Sequence, residues 1–205
     1  MIDDTTNRVI AGTKGFMPEA EGYALHEAGL AAASRGPLLE IGSYCGLSAL
    51  YLGAAARDAG TVLITVDHHR GSEETQPGWE HHDPEVVDPR TGRMDTLPFL
   101  RRTLEEAGLE EFVVPIIGDS PTIARLVAPG LGLLFIDGGH ARDVAMADYV
   151  AWAGHLARDG LLAIHDVFED PADGGQAPYE VWCQAVTDGF IPVATTGSLR
   201  LLSRP

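Results

Sequence analysis

The chain has 205 residues, 45% of them hydrophobic, and a formal charge of −16. That is enough for one sizeable core and short for two, so a single domain over 1–205 is expected. Phosphates are gripped by clustered Lys and Arg, so the acid excess argues against a nucleic-acid or anionic-membrane partner. The two cysteines, Cys45 and Cys183, read as a reduced pair. The polar, acidic start "MIDDTTNRVI" is no signal peptide, and no apolar run approaches the roughly 20 residues that span a bilayer. A soluble, cytoplasmic protein is the expectation.

In chain order, a helical segment over 1–36 carries a helix at 19–34. A strand at 38–41 and a helix at 47–58 follow, then a strand at 62–66. The segment 68–93 is Pro-, Gly- and His-rich, fits no regular element, and starts where a strand ends. Its length and place suit a lid over a ligand better than a variable surface loop. Beyond it lie helix 95–107, strand 112–117, helix 120–127, strand 133–136, helix 142–157 and strand 161–164. Each strand is almost continuously apolar, as strands covered on both faces are. After a helix at 179–187, "FIPVATTGSLRLL" reads as two strands joined by a Thr-Gly-Ser turn. The fold class expected is α/β: one Rossmann-like, doubly wound, mostly parallel sheet ending in a C-terminal antiparallel hairpin.

Open α/β sheets bind ligands beyond the carboxyl ends of their strands. The first strand runs into "LLEIGSYCGLSALYLG", residues 38–53, where Gly42 and Gly46 leave room for a ligand beside the backbone. The spacing is G-x-x-x-G, not the dinucleotide G-x-G-x-x-G, and Glu40 precedes it. A pyrophosphate disfavours a nearby carboxylate, whereas a ligand with an ammonium group welcomes one. Taken alone, the turn fits a plain strand-to-helix connection equally well. The later strands decide it: they end in Asp67, in Asp119 and Ser120, in Asp137, and in His165 and Asp166. Asp also caps helices, most plainly at Asp119 ahead of "SPTIARL". Acids at the end of every parallel strand nevertheless point to one binding rim.

The ordered motifs "LLEIGSYCG", "TVD", "IGDS", "FIDGGH" and "GLLAIHD", closed by a hairpin, resemble the class I S-adenosylmethionine-dependent methyltransferases. The likeness covers nearly the whole chain from about residue 15. "LLFIDGGH" and "LARDGLLAIHDV" look most like the branch of macrocin O-methyltransferase, and "LEIGSYCGLSAL" is similar to catechol O-methyltransferase. The resemblance implies S-adenosyl-L-methionine as cofactor and a small-molecule hydroxyl as acceptor; the sequence leaves the oligomeric state open, with a homodimer through the N-terminal helix as one expectation. It implies a methionine pocket of Glu40, Gly42, Ser43 and Gly46, with Ser48 near the carboxylate. Asp67 would hold the ribose, His68 would lie beside the adenosine, and Asp119 with Ser120 would sit by the adenine. A divalent metal would be held by Asp137, His165 and Asp166. An imidazole among carboxylates shifts preference from Mg²⁺ toward Mn²⁺, Fe²⁺, Ni²⁺ or Zn²⁺.

The chain departs from both comparison groups at His165, and from the sugar-modifying enzymes at Gly139, which stands where they carry a second acid as general base. His140 matches the position of the catechol-type lysine. An imidazole with an unperturbed pKa of about 6.5 can take a hydroxyl proton near neutrality. His140 is thus the candidate base beside Asp137, with helix capping as the alternative. His69, His81, His82 and Asp83 in "WEHHDPE" and its surroundings lack a ligand spacing, so solvated histidines are expected. Trp79 is a candidate cover for an acceptor ring. Acceptor selectivity is expected in residues 12–23 and 68–93. A nicotinamide oxidoreductase fits the sheet and Asp67 but not the glycine spacing. A catalytically altered cofactor-binding protein and a metal-dependent hydroxylase-like relative are the further alternatives.

Overall fold

Strands that are apolar on both faces need cover on both, and this chain supplies it with helices on each side. The computed structural model describes residues 1–76, 78–79 and 82–205. The helices are α1 (Asp4–Gly12), α2 (Glu19–Ala32), α3 (Leu47–Ala59), α4 (Leu97–Ala107), α5 (Ser120–Ala124), α6 (Arg142–Trp152) and α7 (Ala177–Thr187). The strands are β1 (Leu38–Ile41), β2 (Leu63–Asp67), β3 (Val87–Asp88), β4 (Arg93–Met94), β5 (Val113–Ile117), β6 (Leu131–Ile136), β7 (Leu156–Ile164), β8 (Ile191–Thr196) and β9 (Leu199–Ser203).

The main sheet has the order β5-β2-β1-β6-β7-β9-β8, and β3 pairs with β4 apart from it. From β5 to β7 every pairing is parallel, while β9 runs antiparallel to both β7 and β8. The expected α/β architecture with a closing hairpin is what the chain forms. Strand order reverses between β1 and β6, so the ligand crevice opens there. Alternation along β1 divides the core: Leu38 joins Leu63, Leu133 and Phe135 under α2 and α3, whereas Leu39 and Ile41 join Leu134, Ile136 and Ile164 under α6 and α7. α3 is buried along Ser48–Ala56, because it lies between the sheet and α2.

Several boundaries differ from the sequence expectation. Helix 142–157 stops at Trp152, turns through a 3₁₀ segment at Ala153–His155, and Leu156 already starts β7. Leu156 pairs with Leu131, so strand pairing overrides the helical run. Helix 120–127 is shorter, ending at Ala124. α1 lies inside the expected 1–36 helical segment, ahead of the one helix placed there; Asp3 caps it by accepting from Thr6 N, and Arg57 anchors Asp3 from α3. The 68–93 segment is not wholly irregular, for it holds 3₁₀ turns at Glu73–Thr75 and Pro84–Val86 and the β3–β4 pair. Cys45 and Cys183 are free thiols. Among the described residues no helix is long and apolar enough to cross a membrane.

Candidate active site

β1 carries Glu40 into the sheet centre, paired with Thr65 on one side and Phe135 on the other. The carboxyl therefore lies inside the sheet, completely buried, and not on its open rim. Thr65 donates its hydroxyl to Oε1 at 2.6 Å, and Ser43 bonds Thr65 in turn. Oε2 has no partner. Burial pushes Glu40 up to about 8, against the bond from Thr65. Gly42, at φ 93, brings the turn against the Asp137 carbonyl, where a Cβ would collide. Gly46, at φ 97, opens α3.

Asp67 ends β2 and organises that turn. Its Oδ2 accepts from Ser43 N at 3.0 Å and Tyr44 N at 2.9 Å, and its Oδ1 accepts from His69 N at 2.7 Å. Tyr44 and His69 both have positive φ, 46° and 58°, a conformation that side chains other than glycine adopt at a cost. Asp67 holds both. Most of its acceptor capacity is thus engaged with the chain itself. The His68 side chain is exposed beside it, with Nδ1 accepting from Arg70 N.

Asp119 caps α5, its Oδ2 accepting from Thr122 N and Thr122 Oγ1, so the capping role and the rim position coincide in one residue. Ser120 turns its hydroxyl inward, where it accepts from Trp152 Nε1 at 2.8 Å. Asp148 is a buried carboxylate on α6 that sequence reasoning passed over.

The opposite end of the crevice joins Asp137, His140 and Asp166, whose donor atoms lie within 4.8 Å of one another. Asp166 sits at φ 54 immediately beyond β7, and His140 Nε2 is 3.4 Å from its Oδ2. α6 begins after Ala141 without a side-chain cap, so His140 is not that cap. His165 sits behind the three, 2% exposed. Its Nδ1 is 3.1 Å from Asp137 Oδ1 and 3.4 Å from Asp166 Oδ2. Its Nε2 is 2.7 Å from Glu21 Oε2, an ion-pair distance that lacks hydrogen-bond alignment. Burial would lower its pKa, but Asp137 and Asp166 outweigh burial and raise it to about 11. Asp166 is held low by that imidazolium despite its own burial. Three carboxylates, those of Glu21, Asp137 and Asp166, thus surround this imidazole. Asp137 and Asp166 of the expected metal set stand together with His140, and His165 Nδ1 approaches the same two carboxylates from the buried side.

Glu21 is a second residue that sequence reasoning missed. It lies buried on α2 and accepts from Ser198 N at 2.9 Å and Ser198 Oγ at 3.0 Å. A glutamate in a helix of mixed polarity carries no signal of this; only the docking of the β8–β9 turn against α2 reveals it.

The 68–93 segment is tied to the N-terminal segment through Lys14, whose Nζ lies 2.5 Å from both Asp83 Oδ2 and Glu85 Oε2. Phe16 meets the Tyr44 ring with centroids 5.6 Å apart. The expected solvated histidines divide: His69 is buried with Nδ1 on Thr96 Oγ1, and its pKa is lowered by that burial, whereas His82 bonds the Thr75 carbonyl. His81 lies outside the described residues. Trp79 is half exposed.

Among solved structures, similar folds include the O-methyltransferase TomG from Streptomyces achromogenes, involved in tomaymycin synthesis and bound to SAM. It is 16% identical at a TM-score of 0.64, covering 99% of this chain and 91% of that one. An O-methyltransferase from Bacillus cereus in complex with SAH gives 16% identity and a TM-score of 0.66, covering 98% and 91%. SAH-bound PaMTH1 from Podospora anserina gives 17% and 0.65, covering 100% and 89%. These likenesses concern the fold. The family described as "Methyltransferase domain" matches residues 39–167, the stretch from β1 to the end of β7 that carries the glycine turn and the rim acids, and the chain belongs to that family.

Proposed function

We propose that this protein moves the methyl group of S-adenosyl-L-methionine to a hydroxyl of a small-molecule acceptor. The observation that carries the reading is Glu40: a fully buried carboxyl beneath the glycine turn, with one oxygen left without a partner. Such a group costs stability unless a cation or donor meets it. The methionine ammonium of the cofactor is a fitting partner, where a pyrophosphate would be repelled. In this reading Gly42, Ser43, Gly46 and Ser48 surround the amino-acid end of the cofactor. Asp67 offers its remaining lone pair to the ribose, with His68 beside the adenosine, and Asp119 and Ser120 line the adenine.

When bound, the sulfonium supplies the methyl group. The protein's part is to align the acceptor oxygen and exclude water. Asp137, His140 and Asp166 stand at that end of the crevice. Two carboxylates and an imidazole fit a divalent ion of the Mn²⁺, Fe²⁺, Ni²⁺ or Zn²⁺ kind. Such an ion would lower the pKa of an acceptor hydroxyl. A second reading rests on the 3.4 Å approach of His140 to Asp166: a carboxylate behind an imidazole orients it as a general base. A ligating His140 cannot also take the proton, so the two readings exclude each other.

The experiment is an S-adenosylhomocysteine-release assay over a panel of catechols, phenols and sugar hydroxyls, run before and after chelation. Release of product with any of these supports the reading. Tight SAH binding with no turnover on the whole panel would favour a catalytically altered binding protein. Loss on chelation and recovery with Mn²⁺ separates the metal role from the base role.

A further inference from the structure

We propose that Glu21 is a positioning residue for the acceptor end of the crevice: acting through the His165 ring, it sets the spacing of the Asp137 and Asp166 carboxylates. The inference rests on the divalent-ion reading above, in which those two carboxylates and His140 hold the ion. Glu21 is remote from the rim in the chain, on α2, and its side chain is 6% exposed. Its Oε2 is 2.7 Å from His165 Nε2. The other ring nitrogen, Nδ1, is 3.1 Å from Asp137 Oδ1 and 3.4 Å from Asp166 Oδ2. One buried ring therefore links a carboxylate behind the rim to two carboxylates on it.

Glu21 is itself a fixed point. Ser198 donates its N–H to Oε1 at 2.9 Å and its hydroxyl to Oε2 at 3.0 Å. Gly197, at φ 53, brings the β8–β9 turn so close that a Cβ there would collide with the same carboxylate. The turn that grips Glu21 also reaches Asp166: Ser198 Oγ is 3.5 Å from Asp166 Oδ1, and the Ser198 carbonyl accepts from Val167 N at 3.0 Å. Asp166 stands at φ 54, a conformation that persists only where its surroundings hold it. His165 packs against the Phe135 ring, with centroids 6.3 Å apart. Carboxylates that hold an ion depend on the groups that orient them, and losing such an outer partner costs roughly tenfold to a hundredfold in metal affinity.

The test is Mn²⁺ titration of the full chain, read by the paramagnetic resonance of the free ion at saturating S-adenosylhomocysteine, with S-adenosylhomocysteine affinity measured alongside. Glu21→Gln keeps the size and an acceptor for Ser198 N but removes the charge facing His165. It is expected to weaken Mn²⁺ binding roughly tenfold or more and to leave S-adenosylhomocysteine affinity within about twofold. Loss of a charge weakens any nearby cation, so two comparisons isolate the positioning. Glu21→Asp keeps the charge but draws it back from the ring, and is expected to lose Mn²⁺ affinity as Glu21→Gln does. In a His165→Asn background, Glu21→Gln is expected to change Mn²⁺ affinity by about twofold or less, because the ring that transmits its effect is gone. Near-native Mn²⁺ affinity in Glu21→Asp, or an undiminished effect without His165, would overturn the inference, as would a Glu21→Gln protein that melts lower yet holds Mn²⁺ as before. A native protein that binds S-adenosylhomocysteine but no Mn²⁺ would sink the divalent-ion reading and this inference together, leaving the cofactor reading intact.

Discussion

Thr65 donates its hydroxyl to Glu40 Oε1 across 2.6 Å, while Oε2 of the same carboxyl stays buried without a partner. One half of the group is satisfied by the fold, and in the function proposed above the other meets the cofactor's ammonium group. Burial raises Glu40 from 4.5 to about 8, so the free protein holds it neutral below that pH. An incoming ammonium favours the ionised form, so binding expels a proton. Cofactor affinity should rise toward pH 8, by up to about tenfold per unit, and then level off or fall as the ligand's own α-amino group, with a pKa near 8, deprotonates. Calorimetry at pH 7 in two buffers of different ionisation enthalpy reads the released proton directly. Equal heats in the two buffers would contradict it.

The same group sets a stability prediction. A folded pKa above the unfolded one means stability is greatest at low pH and is lost as pH rises from about 4.5 through about 8. Glu40→Gln should stabilise the empty protein at pH 8, on the order of 2–4 kcal/mol, and weaken cofactor binding tenfold or more. Thermal unfolding with and without S-adenosylhomocysteine shows both effects, and a destabilised Glu40→Gln would count against the orphaned oxygen.

Asp67 should matter before any cofactor arrives. It accepts three backbone N–H bonds that hold Tyr44 and His69 at positive φ. Asp67→Ala is expected to cost the empty protein roughly 2–3 kcal/mol in urea unfolding, since those donors lose their partner. If its only task were the ribose, the empty protein would keep its full stability.

At the acceptor end, chelation should abolish turnover and leave S-adenosylhomocysteine affinity within about twofold, because Glu40 and Asp67 are separate from the donor cluster. Asp137→Ala should lower turnover by roughly a hundredfold or more whether the site works by metal or by base. Full activity after exhaustive chelation would remove the metal and leave His140 with Asp166.

Lys14 ties residues 83 and 85 to the N-terminal segment. The lysine is one-third exposed, so the pair adds at most about 1 kcal/mol to stability. Lys14→Met should leave the melting temperature nearly unchanged yet speed limited proteolysis within 68–93 several-fold. Unchanged cleavage would mean the 68–93 segment is held by its other contacts alone, such as Arg70 on the Met94 carbonyl.

Much of this molecule is legible along the chain. Continuous apolar runs mark β1, β2 and β6 because these central strands are covered on both faces, and they mark the edge strand β5 as well, though Val114 and Ile117 there stay exposed. The hairpin is equally plain, with Gly197 at its tip. Boundaries blur where strand pairing competes with helix propensity, as at Leu156. Within the expected 1–36 helical segment α1 is not picked out, because it is short, polar and held mainly by its Asp3 cap and Arg57.

For the site, local pattern names the rim residues and stops there. Acids ending successive parallel strands must converge, since sheet geometry brings those ends together, and so Asp67, Asp119, Asp137 and Asp166 are readable one by one. Sequence also fixes that His165 and His140 flank this rim, but not which of them faces the crevice. The tertiary structure adds that α2 and the β8–β9 turn bring Glu21 to 2.7 Å behind His165 and bury it, while His140 stays partly exposed beside Asp166. Thr65 likewise acquires its role only when β2 lies against β1. Spacing along a strand or helix determines which side chains share a face. Long-range packing determines which carboxyl oxygen is buried without a partner, as it does at Glu40 Oε2.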